Sequence, residues 1–209
     1  MEQLDDNPVC NVGIHSVYDR EYREVITTFI FAEEEDSKTI SFSEKADIFG
    51  AKYSFTPRFY SELERDLYSF KDGKFWRHDA NPLYDNFYGQ QEPAFVEVVV
   101  NPKGEIAKHF DNLILNSNNR EFDKITYTTQ HQSAVQDPFL GEFWNRAVYR
   151  EFQWKLPIRR ADAIIDTQLS LSLVQSRIRG RYLIINLQYA GDQDMWIREI
   201  ITAYTQSKA

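Results

Sequence analysis

One cysteine, Cys10, stands in the whole chain. No intrachain disulfide can form, and this usage suits a reducing cytoplasm. Cys10 itself reads as a small buried hydrophobe. No apolar run approaches the roughly eighteen residues of a membrane-crossing helix, so no membrane insertion is expected. The opening MEQLDDNPVC is acidic and polar, unlike a signal peptide.

Catalytic and nucleotide-binding signatures are missing as well. There is no GxGxxG, no Walker A lysine loop and no GxSxG, which removes the phosphate cradles and the nucleophile turn. His15, His78, His109 and His131 lie far apart and none is near the cysteine. A metal would need ligands gathered from distant segments, so neither metal nor cofactor is expected. His78 is expected to end a strand and His109 to cap a loop. Glu62 and Glu64 are expected to share a strand face, and Asp192 and Asp194 a turn. Such pairs can do acid–base work on a glycosidic bond, but both arrangements are ordinary on surfaces. Asp192-Gln193-Asp194 lacks the downstream ligands of a calcium loop. No catalytic residue is assigned, and the chain is read as a non-enzyme.

Aromatic residues, by contrast, are plentiful: 15 Phe, 12 Tyr and 4 Trp. They suit pleated, half-buried surfaces and supply interface area at low entropic cost. Charge is unevenly spread. Residues 1–100 carry 10 Lys and Arg against 20 Asp and Glu, a balance of −10, whereas residues 101–209 carry 14 against 12, a balance of +2. An acidic front half opposes tight nucleic-acid binding and suits a surface past which DNA slides.

Alternation predicts an almost wholly β chain. Residues 12–31 read as a hairpin around Asp19, whose carboxylate can bond its own backbone. Glu33–Asp36 reads as a loop tip. From Lys38 to Asp79, TISF, AKYSF, FYSELERDLYSF and KFWRHD read as short strands with turns between them. Four such strands in about forty residues make one β-propeller blade, which must lean on neighbours. Lys71-Asp72-Gly73 predicts a tight hairpin with glycine at positive φ. Pro57 is expected to end its strand.

Residues 79–93 read as a connection ordered by Tyr84, Phe87 and Tyr88, with a domain boundary near it. AFVEVVV (Ala94–Val100) has almost no polar break, which predicts a strand buried on both faces. Ile114 centres a further strand, and Ile125, Tyr127 and Thr129 alternate in another. SAVQDPFLG reads as a loop. Alternation at 152, 154, 156 and 158 is strict. Leu169–Val174 fits a strand or a short helix. Arg177–Tyr189 reads as one strand with Leu183, Ile185, Leu187 and Tyr189 on one face. Gly191-Asp192 turns it, and Trp196–Thr205 returns; helical spacing also fits there, but the β-branched residues favour a strand. The fold class is therefore mainly β: a propeller-blade-like antiparallel region over 1–90, then an antiparallel β-sandwich over 91–209.

Basic residues interleave with aromatics in the rear half. Arg146, Arg150, Lys155, Arg159 and Arg160 lie among Trp144, Tyr149, Phe152 and Trp154, and Arg177, Arg179 and Arg181 share one strand face. This pattern can bind single-stranded nucleic acid or the acidic half of a neighbouring subunit, and the charge balance favours the subunit.

The stretches YDREYREVITTF, TISFSEKADIFGAKYSFTPRFY, LYSFKDGKFWRHD and NFYG, with the ending RIRGRYLIINLQYAGDQDMWIREIITAYTQS, resemble the C-terminal part of tail nozzle or muzzle proteins of short-tailed, crAss-like bacteriophages. The resemblance covers residues 12–90 and 177–207. It implies a virion tail component arranged as a ring around the DNA path, assembled in the bacterial host cytoplasm, without enzymatic activity or cofactor. It implies other tail proteins and further copies of the chain as partners, with double-stranded DNA passing unbound. Family members are longer and carry a full propeller, so this chain is expected to depend on neighbours. Trp76, Tyr84, Phe87, Tyr88, Trp144, Trp154, Arg177, Arg179 and Arg181 are the candidate subunit contacts. A carbohydrate- or receptor-binding β domain is the alternative, with exposed aromatics stacking on sugar rings. A glycoside hydrolase fragment ranks third.

Overall fold

Strand begins at Gly13 in the computed structural model, which describes residues 12–118, 122–136, 147–165, 176–191 and 193–207. Cys10, Trp144, Arg146, the segment 169–174 and Asp192 fall outside the described residues. The chain is mainly β, with antiparallel pairing throughout the described sheets and, among the described residues, one 3₁₀ turn at Glu34–Asp36. It divides into two compact units, Met1–Glu92 and Pro93–Ala209.

In the first unit, β1 (Gly13–Asp19), β2 (Glu24–Ile30), β3 (Lys38–Ser43) and β4 (Ile48–Tyr53) form a meander in sequence order. The β1–β2 turn forms as its aspartate predicts: the Glu21 amide donates to Asp19 Oδ1 at 2.9 Å. A separate sheet follows, made of β5 (Phe59–Leu63), β6 (Asp66–Lys71) and β7 (Lys74–Arg77). Asp72 (φ 53) and Gly73 (φ 73) make the tight β6–β7 turn. β8 (Asn86–Phe87) and β9 (Gln90–Gln91) close a small hairpin over Tyr88 (φ 55) and Gly89 (φ 78).

The stretch Lys38–Asp79 is thus not one sheet. The break falls between Tyr53 and Phe59, where among the described residues β4 pairs only with β3 and β5 only with β6. Two causes are visible. Pro57 has no N–H to offer a ladder, and Phe55, 3% exposed, turns into the core while its carbonyl accepts the Thr39 hydroxyl at 2.5 Å. The four-stranded sheet is instead the earlier meander, Gly13–Tyr53.

The second unit contains β10 (Ala94–Val100), β11 (Lys108–Ser117), β12 (Lys124–Thr128), β13 (Gln132–Gln136), β14 (Val148–Arg150), β15 (Gln153–Pro157), β16 (Ala163–Ile164), β17 (Arg179–Gly180), β18 (Leu183–Tyr189) and β19 (Ile197–Gln206). One sheet runs β10-β18-β12-β13-β16. The other runs β14-β15-β11-β17, with β19 also on β11. No sheet closes on itself among the described residues. A single apolar cluster draws on both sheets: Phe110, Leu113, Leu115 and Leu156 from one, Ile125, Tyr127, Leu183, Ile185 and Leu187 from the other. Full burial of each aliphatic side chain here stabilises by about 1.5–3 kcal/mol.

Several expectations change in this unit. Ala94–Val100 is an edge strand, largely exposed, with Phe95 at 68% and Val99 at 62%. An unbroken apolar run does not say whether a strand is central or peripheral; here, among the described residues, only β18 pairs with it. Arg177–Tyr189 is two strands in two sheets, because the chain crosses over at Arg181–Tyr182. Gly180 permits the crossing: a Cβ there would lie 2.7 Å from Thr129 Cβ. Trp196–Thr205 is a strand, as its β-branched residues imply, but it pairs with β11 and not with β18. SAVQ belongs to β13, not to a loop. Phe152 (φ 62) sits with Glu151 (φ 55) in the β14–β15 turn, so the alternation starts after it. His109 lies within β11 and caps no loop. Glu64 (φ 59) is in the β5–β6 turn and does not share a face with Glu62, which pairs with Arg20 at 2.6 Å.

Candidate functional site

The first unit has a small apolar core, Ile26, Phe55 and Leu67, with Val17, Tyr53, Tyr60, Phe87 and Tyr88 packed against it. Hydroxyls fill what apolar groups leave. Thr28, Thr39, Ser41 and Ser69 are all completely buried. The Thr28 hydroxyl meets Thr39 Oγ1 at 2.8 Å and Tyr60 Oη at 2.6 Å, so it links β2, β3 and β5. Tyr53 donates to Glu24 at 2.5 Å. Burial is the first cause that pushes both tyrosines well above their ordinary range. The two tyrosines and the threonine and serine hydroxyls therefore act as neutral packing and hydrogen-bonding elements.

Ser69 lies 2.7 Å from His78 Nε2 and 2.8 Å from Tyr88 Oη. A serine beside a histidine has the outline of a nucleophile and its base. Here Ser69 is wholly buried, and His78 stands edge-on to Phe55 and Tyr88. No substrate reaches that oxygen, and the pair serves as a packed polar bridge. Burial holds the His78 imidazole below its ordinary value, against the opposing pull of Asp19. Among the described residues no group of histidine, cysteine, aspartate and glutamate can hold a metal ion.

The predicted contact residues separate by what they touch. Trp76 is half-buried, donates from Nε1 to the Lys71 carbonyl at 3.3 Å and meets Tyr88 edge-on at 5.4 Å. Phe87 packs at 4.9 Å from Phe55. Tyr88 is pushed up to about 12, chiefly by burial. These three are assembled around the core of the first unit. Tyr84 is 52% exposed, and its carbonyl accepts from Gln91 at 2.8 Å. In the second unit Trp154 packs against the core and lies 4.5 Å from Tyr149. Trp144 falls outside the described residues.

Arg177, Arg179 and Arg181 are exposed and alternate with buried Ile178 and Gly180. Arg177 pairs with Asp111 and donates to Thr205 Oγ1 at 2.9 Å. The backbone of Arg179 is held by Gln132 Oε1 at 2.8 Å, and that of Arg181 by the Lys108 ammonium.

The residue that sequence reasoning missed is Lys108. It is fully buried, and its ammonium donates to the carbonyls of Lys103 at 3.0 Å and Ile106 at 2.9 Å, and to that of Arg181. All three ammonium hydrogens are thereby used. Its sequence signal was slight: a lysine at the start of an alternating run, between a turn and His109.

Residues 82–161 match the family model of the Crassvirus muzzle protein C-terminal domain. This segment is similar to the muzzle domain of crAss-like phages. The match supports the resemblance to the C-terminal part of a muzzle protein, and the muzzle family suggests a structural protein of the phage tail region. The muzzle-matched segment runs from the β8–β9 hairpin through β15. It includes Tyr84, Phe87, Tyr88, Trp144 and Trp154, and leaves out Trp76 and the three arginines. The stretches that prompted the resemblance, 12–90 and 177–207, meet it only at 82–90. No curated protein matches the chain.

Proposed function

We propose that this chain is a structural element of a crAss-like phage tail, and that copies of it, with other tail proteins, form a ring whose wall holds the genome and lets it pass at ejection. The match over residues 82–161 carries this reading. Charge distribution supports it: the excess of acidic residues in the front half repels passing DNA and lowers friction with it. The meander Gly13–Tyr53 serves as a blade-like layer, and the two five-stranded sheets about one core serve as a sandwich, with the boundary between the regions near residues 90–91.

Subunit contacts on this reading fall to side chains that the fold does not already consume. Tyr84, Arg179 and Arg181 are exposed and open to a neighbour, with Arg177 partly engaged by Asp111. Trp76, Phe87, Tyr88 and Trp154 support the surface from beneath. The chemistry is mechanical, with no catalytic role for any residue.

Labelling of purified virions with antibody to this chain tests the reading. Gold at the distal tail of every particle is expected. Absence from virions, or labelling of the capsid alone, overturns it.

A further inference from the structure

Two edge strands stand out because they expose residues on both faces. β4 carries Ile48 (57% exposed) and Phe49 (71%), and β10 carries Phe95 (68%), Val96 (44%) and Val99 (62%). Among the described residues β4 pairs only with β3 and β10 only with β18, so each has one free edge. Exposed apolar edges invite pairing, and natural chains control it with charge. Each strand carries a single charge, and the two are opposite: Lys52 on β4 and Glu97 on β10. Strand pairing of β4 with β4, or of β10 with β10 in register, sets like charges face to face, which is unfavourable. Pairing β4 with β10 sets lysine against glutamate.

The faces agree with that pairing. Ala51 and Tyr53 lie opposite Ser41 and Thr39, both fully buried, so they point to the core side of their sheet and Lys52 points outward. Val96 and Val98 lie opposite Leu187 and Ile185, both buried, so they too point to the core side and Glu97 points outward. With Glu97 opposite Lys52 in an antiparallel ladder, Val96 meets Tyr53 and Val98 meets Ala51, core side to core side. The bulge opposite Ser41 and Phe42 limits the regular part of β4 to Ala51–Tyr53 and beyond.

We infer that β10 of one copy adds as a strand to β4 of the next copy of this chain, in the register Glu97–Lys52. The contact joins two different surfaces, so it repeats head to tail and closes into a ring when the rotation allows. The inference rests on the ring reading above and supplies its joint.

Disulfide trapping tests it in the full chain with Cys10→Ser. Val98→Cys and Ala51→Cys combined in one chain should give a ladder of covalent multimers under mild oxidation, while either alone gives none. Glu97→Lys or Lys52→Glu should weaken the ladder about fivefold, and both together should restore it. A native oligomer without the ladder, or a dimer trapped by Val98→Cys alone, overturns the joint and leaves the ring reading standing. A monomer at every concentration overturns both.

Discussion

The ammonium of Lys108 donates to the carbonyl of Arg181, 73 residues further along the chain. That bond ties the turn before β11 to the point where the chain crosses from β17 to β18. With Lys103 and Ile106 it gives the buried cation three carbonyl partners, and the Tyr204 ring lies 6.0 Å away. Burial lowers the lysine's proton affinity. A buried charge is tolerated only when satisfied in this way.

Lys108→Met keeps the stem and removes the ammonium. Three carbonyls then lose a donor, at a cost of about 3 kcal/mol. Urea unfolding of the full chain should show a lower midpoint with an unchanged slope.

His78 makes stability depend on pH. Its imidazole titrates below the ordinary value of 6.5 because it is buried. Between those two values the unfolded chain holds a proton that the folded chain does not. Stability is therefore complete above the ordinary value and falls as the pH drops through that window. His78→Gln retains a polar partner for Ser69 and should flatten part of the slope between about pH 7.5 and about pH 5. The measurement is the urea midpoint across that range. His15, also lowered by burial, supplies a remainder.

Gly180→Ala should destabilise, since the new Cβ meets Thr129 Cβ at 2.7 Å and Gln130 Oε1 at 2.8 Å. Overpacking of this kind costs about 1–3 kcal/mol. The loss should appear in thermal unfolding.

The β14–β15 turn runs the other way. Glu151 and Phe152 both adopt left-handed backbone, and Phe152 is 80% exposed. Asn-Gly is the preferred pair for such a turn. Glu151→Asn with Phe152→Gly should raise the melting temperature, by about 1 kcal/mol in stability.

Most strands were legible because their periods were short and their turns distinctive. Leu183, Ile185, Leu187 and Tyr189 are buried together, as alternation requires. The Asp72-Gly73 turn, with both residues at positive φ, follows from its residues alone. Pairing partners were not legible. Val96 and Leu187 are equally apolar, yet one is half exposed and the other buried, since sheet order is set by contacts distant in sequence. The division at Phe55 and the crossing at Arg181 are tertiary decisions of the same kind. They depend on which carbonyl a threonine or lysine finds, and no local pattern records that. Among the candidate contacts, aromatic identity alone did not separate Tyr84, exposed, from Phe87, packed on Phe55.

Electron cryomicroscopy of the intact virion tail, with this chain fitted to the map, tests the assignment most directly. Several symmetry-related copies encircling the DNA path are the expected result. A lone copy outside the tail axis, or density that no copy of this chain fits, would contradict it.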